Sequence, residues 1–315
     1  FTNPLFYDEF SDPDIIRVGE DYYLAGTTMH SVPGLVVLHS KDLVNWEFSS
    51  YCFDRFDDSD DFNLRNGKEA YGQGIWAPAI RYHNGKFYIF SNINGHGLQV
   101  YISDSAKGPW THHKVNGDIY DLSVLFDEDG KIYAVHKYGN VTVTELKPDL
   151  SGPVEGSSKV VIPEGNAMGE GHHVYKINGM YYILSADYSP MGRMQCARSK
   201  SIWGPYETCV ISERESYGYA AGWSVGNMGI GRPLPEDGFK FQNNQPNGLN
   251  LGCATIHQGG IVQAPDGKWW GVSMQDFNAV GRTVCLSPIT WVDGWPYFGL
   301  EKNLGRSPRT WFKPN

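Results

Sequence analysis

Residues 170–186 read EGHHVYKINGMYYILSA. β-branched and aromatic residues flank Asn178-Gly179, so the stretch predicts a strand, a tight turn whose central residues take φ > 0, and a returning strand. The pattern recurs at 12–26 (DPDIIRVGEDYYLAG), 76–91 (WAPAIRYHNGKFYIFS), 121–136 (DLSVLFDEDGKIYAVH) and 257–273 (HQGGIVQAPDGKWWGVS). Asn84-Gly85, Asp129-Gly130 and Asp266-Gly267 repeat the turn chemistry. A weaker signature follows three of the hairpins, at His39–Trp46, Ile102–Trp110 and Arg198–Tyr206, and reads as a third strand turning into an outer fourth. Five four-stranded units predict an all-β, five-bladed β-propeller occupying residues 1–315 as a single domain. The rival, an α/β chain, requires amphipathic helices of about ten residues or more between strands. No convincing one is found, and 37 glycines and 18 prolines interrupt any long helix.

Composition narrows the partners. Acidic residues outnumber basic ones, 35 to 26, and no basic run is present, so the electrostatic footprint of a nucleic-acid binder is missing. Aromatic residues make up 14% of the chain, which suits strands and sugar-stacking platforms. No apolar run approaches the roughly 18 residues that span a bilayer, so a membrane partner is not expected. The opening FTNPLFYDEF lacks the basic start and apolar block of a signal peptide and is consistent with a processed chain. Cys52, Cys196, Cys209, Cys253 and Cys285 are scattered without a CxxC pair, which argues against a thiolate zinc cluster. The compartment stays open, with a secreted or periplasmic location favoured over a cytoplasmic one; oligomeric state is not indicated. No glycine-rich phosphate loop in a strand-to-helix setting supports a nucleotide cofactor.

In a propeller the innermost strand of each blade runs along the central axis, so the five hairpin starts converge at one end of it. Those positions hold Asp12, Trp76, Asp121, Glu170 and His257. Two carboxylates across a sugar ring are the minimum apparatus for glycoside hydrolysis, one protonating the leaving oxygen while the other attacks or activates water. A third can govern the acid's protonation. Crowded like charges at a water-poor site raise the pKa of the carboxyl least able to ionise, so Glu170 is expected to stay protonated near neutrality while Asp12 is ionised. Trp76 would offer a flat apolar face to a sugar.

The segments at 11–24, 76–90, 121–135 and 170–184 resemble the blade motifs of glycoside hydrolase family 43, the five-bladed propeller β-xylosidases, α-L-arabinofuranosidases and arabinanases. That resemblance, over nearly the whole chain, implies an inverting exo-glycosidase acting on terminal pentoses of plant cell-wall xylo- or arabino-oligosaccharides. Asp12 then matches the general base, Asp121 the pKa modulator and Glu170 the general acid. The segment VGRTVCLSPITWVDGWPYFG (280–299) is similar to β-xylosidase-type members, in which the arginine matching Arg282 contacts the sugar. His257 matches a histidine that orients the site or helps hold a metal, often calcium. No other cofactor is implied. Met29 and His30 fall where xylosidase-like members place pocket-narrowing aromatics, and Leu122 stands where proline is common. Many such relatives also carry a C-terminal β-sandwich, absent from this chain. The alternatives are an endo- or exo-acting arabinanase on α-1,5-arabinan and a non-catalytic sugar-binding propeller, which would have no need of three axial acids.

Several neighbours admit structural readings. Asp14 is the local rival of Asp12. Asp127, Glu128 and Asp129 lie in a hairpin turn, where solvated acids are ordinary. His172 and His173 face opposite ways on a strand, so one is expected at the surface or in packing. Trp46, Trp110, Trp269 and Trp270 are expected to pack between blades.

Overall fold

The computed structural model describes residues 1–56, 59–71, 73–166, 168–188, 191–212, 258–276 and 281–305, together with Phe312 and Pro314. Five antiparallel sheets of four strands follow one another along the chain, each a simple meander. The first blade is β1 (Ser11–Val18), β2 (Asp21–Thr27), β3 (Gly34–Ser40) and β4 (Glu47–Phe53). The second is β5 (Ile75–His83), β6 (Lys86–Ile93), β7 (Gly97–Ser103) and β8 (Thr111–Val115). The third is β9 (Ser123–Phe126), β10 (Ile132–His136), β11 (Val141–Leu146) and β12 (Lys159–Ile162). The fourth is β13 (Met168–Ile177), β14 (Met180–Tyr188), β15 (Met191–Ser199) and β16 (Glu207–Val210). The fifth is β17 (Ile261–Gln263), β18 (Trp269–Asp276), β19 (Arg282–Val292) and β20 (Trp295–Phe298). Helix among the described residues is one 3-10 turn at Glu301–Asn303.

Turn chemistry acts as the sequence predicts, with one refinement. Asn84-Gly85 and Asn178-Gly179 both take positive φ at the two central positions, the two-residue I′ pattern. At Asp129-Gly130 and Asp266-Gly267 only the glycine does, because these loops are longer and close through Asp127 N–H to Lys131 C=O and Ala264 N–H to Lys268 C=O. The weaker signature marks the turn between third and fourth strands. Its repeated serine is the reason: Ser40, Ser103 and Ser199 each accept, through Oγ, the backbone N–H two residues on at 3.1 Å.

Each junction between blades is filled by one apolar cluster, which is what arranges the sheets radially. Val37 and Ile80 share the junction of blades one and two, Phe90 and Val124 that of two and three, and Val143 and Val174 that of three and four. Leu184 packs with Phe298 between blades four and five, and Leu24 with Val272 between five and one. Trp46, Trp110, Trp269 and Trp270 belong to these clusters, as expected of packing residues. The ring is closed by the N-terminal segment. β20 pairs only with Ile289–Val292 of β19, leaving the edge at 282–286 to residues 3–10. Leu5 and Phe10 donate their N–H groups to Val284 and Arg282 at 2.8 Å, and the buried Asn3 amide bonds both backbone groups of Leu286 at 2.8 Å.

Asp127 departs from the solvated-acid reading. Its carboxylate is buried between Lys176 Nζ, 2.7 Å away on β13, and Tyr181 Oη, 2.6 Å away on β14, and so ties blade three to blade four. Burial pushes its pKa up, but hydrogen bonds from Lys176, Tyr181 and the Glu128 N–H outweigh this and hold it below the ordinary carboxylate value. An acid depressed in the folded state stabilises above its unfolded pKa and loses that contribution as pH falls through the folded value. Asp127→Asn is therefore expected to lower Tm at pH 7 by roughly 4 °C or more, with the difference shrinking below about pH 4 in thermal melts followed by circular dichroism.

Candidate active site

The hairpin starts of blades one, two and four owe their geometry to an extra residue in the inner strand. Along β1 and β2 the register steps from Ser11↔Thr27 to Asp14↔Ala25, along β5 and β6 from Ile75↔Ile93 to Pro78↔Ser91, and along β13 and β14 from Glu170↔Ala186 to His173↔Leu184. Bulges of this kind re-aim a side chain that regular alternation would fix. Asp12 sits in the first bulge at φ 51°, a left-handed conformation that Asp tolerates, with its N–H 3.3 Å from Met274 Sδ on β18. Asp121 precedes β9, also at φ 51°. In the fourth blade the bulge falls on Gly171, φ 65°, so Glu170 lies one residue before the place equivalent to Asp12. A Cβ on Gly171 would come within 2.4 Å of Gln258 Cγ, which makes glycine necessary there.

These bends bring three blades together. Asp121 Oδ2 accepts the Gly171 N–H at 2.6 Å, so the acid of the third blade holds the peptide immediately after Glu170. Arg282, from β19, places Nη1 3.2 Å from Asp12 Oδ1. Asp12 and Asp121 are buried and Glu170 is half-buried. Burial pushes Asp12 above the ordinary carboxylate value; Arg282 and His173 pull it down and Glu9 adds to the rise. Asp121 is raised further, first by burial, then by the charges of Glu170 and of Asp12, with the Gly171 N–H and Arg282 opposing. Both other carboxylates thus act electrostatically on Asp121, as one site requires.

Met29 pairs with Ile75, the residue before Trp76, where blades one and two adjoin. The Met29 carbonyl accepts the Ile75 N–H at 2.8 Å, fixing the strand just before Trp76, which is half-buried. His30 is exposed, its ring centroid 4.8 Å from that of Tyr71. His257 lies outside the described residues, and with it the expected calcium ligand; among the described residues no three metal-ligating side chains converge. Both His172 and His173 are buried, at 2% and 5% exposure, so of the two places expected for the second histidine, surface or packing, it is packing. They do point oppositely, His172 to Ser185 Oγ and the Lys137 carbonyl and His173 to the Gly171 carbonyl, but an inner strand of a propeller is covered on both faces.

Two contributors, Glu9 and Tyr120, escaped the sequence reading. Glu9 Oε2 accepts the Arg282 N–H at 2.8 Å beside Asp12. Tyr120 Oη donates to Glu170 Oε2 at 3.1 Å. Asp14 turns away from Asp12, into an ion pair with Arg81 at 2.5 Å. The available signals were an acid three residues before one anchor and a tyrosine just before another.

A model of the glycosyl hydrolases family 43 matches residues 1–218. The whole chain is 33% identical to a non-reducing end alpha-L-arabinofuranosidase of Bacteroides ovatus, covering 56% of that protein. It is 29% identical over its full length to a beta-xylosidase of Formosa agariphila, covering 54% of it. The solved bifunctional GH43-CE of Bacteroides eggerthii matches with a TM-score of 0.81 at 33% identity, over 99% of this chain and 37% of that one. The chain thus spans about half the length of the curated relatives it matches. With five blades, axial acids drawn from three of them and sequence matches of this extent, the chain belongs to glycosyl hydrolase family 43.

Proposed function

We propose that this propeller is the catalytic unit of an inverting, exo-acting glycosidase that removes terminal β-D-xylose or α-L-arabinofuranose from plant cell-wall oligosaccharides. The observation that carries the reading is the meeting of Asp12, Asp121 and Glu170 from three blades, with Asp121 bound to the Gly171 N–H and Arg282 beside Asp12. The names of the relatives, one an arabinofuranosidase and one a xylosidase, support a pentose at the site.

Asp12, ionised against Arg282, takes a proton from water as the water oxygen bonds to the anomeric carbon. Glu170 gives its proton to the departing glycosidic oxygen as the C–O bond breaks, and configuration inverts. Asp121 and Glu170, two carboxyls in electrostatic contact, hold one proton between them; the Asp121 grip on the Gly171 peptide sets where Glu170 presents it. Because burial raises Asp12, the acid limb of kcat/KM is expected above the ordinary carboxylate value near 4.

The test compares xylobiose and arabino-oligosaccharides with nitrophenyl pentosides. Glu170→Gln is expected to lose about 10³-fold on the oligosaccharides and far less on nitrophenyl substrates, whose leaving group needs no proton. NMR of the first-formed sugar is expected to give the inverted anomer. Equal losses on both substrate types, or a retained anomer, would remove Glu170 from the acid role or inversion from the mechanism.

A further inference from the structure

Asp14, 1% exposed, sits at the centre of a polar belt that links all five inner strands. Its Oδ2 accepts the Ile80 N–H at 2.9 Å and Arg81 Nη1 at 2.5 Å, both on β5. Arg81 extends to β9, donating from Nη2 to Ser123 Oγ at 2.5 Å and from Nε to the Val124 carbonyl. Ser123 Oγ in turn accepts the Val174 N–H of β13 at 2.9 Å. Tyr175 Oη accepts the Ile261 N–H of β17 at 2.9 Å, and a Cβ on Gly260 would lie 3.2 Å from Asp14 Oδ1.

A buried ion pair is poor evidence of stabilisation, since desolvation offsets most of its attraction and apolar replacements often fold as well. What distinguishes this pair is where it leads. Asp14 Oδ1 faces His173 Nε2 at 3.5 Å, and His173 Nδ1 lies 2.9 Å from the Gly171 carbonyl. The N–H of the same residue is held by Asp121. Gly171 is therefore gripped on both sides, from the axis through His173 and from the site through Asp121, directly after the residue that carries the acid. A displacement of about 1 Å in a reacting group can cost about 10²-fold in rate.

We propose that Asp14 and His173 are positioning residues, fixing through the Gly171 backbone the place from which Glu170 delivers its proton. The inference rests on Glu170 being the acid, and it adds a dependence of that acid on the axial belt. His173→Asn cuts the link to Asp14 while its amide nitrogen can still reach the Gly171 carbonyl; Asp14→Asn removes the charge on the other side of the link.

The experiment measures kcat and KM for the wild type, Glu170→Gln, His173→Asn and Asp14→Asn on xylobiose and on a nitrophenyl pentoside, with circular dichroism as a folding check. Each positioning variant is expected to lose about 30-fold or more in kcat on xylobiose, with KM within about twofold and a loss under about threefold on the nitrophenyl substrate. A merely structural role would lower both substrates alike. Equal losses, no loss in a folded variant, or a His173→Asn chain that fails to fold would assign the belt to folding and overturn the positioning role. If Asp14→Asn alone fails to fold, the His173→Asn ratio decides. A wild type inert on both sugars overturns the proposed function and this inference together, whereas the expected Glu170→Gln ratio without the His173→Asn ratio overturns the inference only.

Discussion

Asp12→Asn is expected to lower kcat/KM by about 10³- to 10⁴-fold, and by the same factor for oligosaccharide and nitrophenyl leaving groups. The base acts on water, so its loss is felt whatever departs from the other face of the sugar. Folding is expected to be intact or slightly firmer, because burial already disfavours the Asp12 charge and asparagine removes it. Activity on paired substrates together with a thermal melt checks both halves. In Asp12→Ala, azide is expected to restore turnover as an external nucleophile and yield the inverted glycosyl azide. A residual rate within about tenfold of wild type, or a loss confined to poor leaving groups, would move the base role elsewhere. Glu9, bound to the Arg282 N–H beside Asp12, is then the carboxylate to examine.

Asp121→Asn is expected to move activity and stability in opposite directions. Its folded pKa lies above the unfolded value, through burial first and the charge of Glu170 second. A carboxyl raised in this way contributes stability below the ordinary carboxylate range near pH 4, and the contribution is lost as pH rises through the folded value. At pH 7 the group therefore weakens the fold, and an asparagine in its place would remove that cost while the amide oxygen still accepts the Gly171 N–H. The variant is expected to melt higher than wild type at pH 7, with the two melting curves converging toward pH 4. Turnover on xylobiose falls about 10²-fold or more, since Glu170 no longer shares a proton with a second carboxyl. A variant less stable than wild type at pH 7 would mean that the Asp121 carboxylate is held by stronger favourable contacts than the Gly171 N–H and Arg282 provide. Gains in stability on removing a catalytic charge are the usual mark of a site built at the fold's expense.

How much of this was legible depended on whether the signal was local. Asn178-Gly179 announces its turn because φ > 0 is a property of two adjacent residues, and Ser40, Ser103 and Ser199 recur because each closes its own turn. The anchors Asp12, Asp121 and Glu170 stood out because a repeated hairpin lets their positions be compared. The choice of Asp12 over Asp14 rested on the repeat and the family resemblance, while what separates the two physically was not legible. Both are aspartates two residues apart, and regular alternation would send them to one face; the bulge between Ser11 and Asp14 sends one to the site and the other to Arg81. Asp127 read as a solvated turn residue because its partners, Lys176 and Tyr181, lie about fifty residues on.

The chain by itself determined five hairpins, their turns, the outer strands of three units and the three acids near the hairpin starts, since each of these rests on dihedral preference and spacing within a few residues. Only the tertiary structure decided that Asp121 holds the Gly171 peptide, that Arg282 from the last blade attends Asp12 from the first, and that Asp14 anchors an axial belt instead of the site. These depend on closing the ring. Once the N-terminal segment completes the edge of β19, strands distant in sequence share one axis, and the burial and charge that set each acid's behaviour come from blades other than its own.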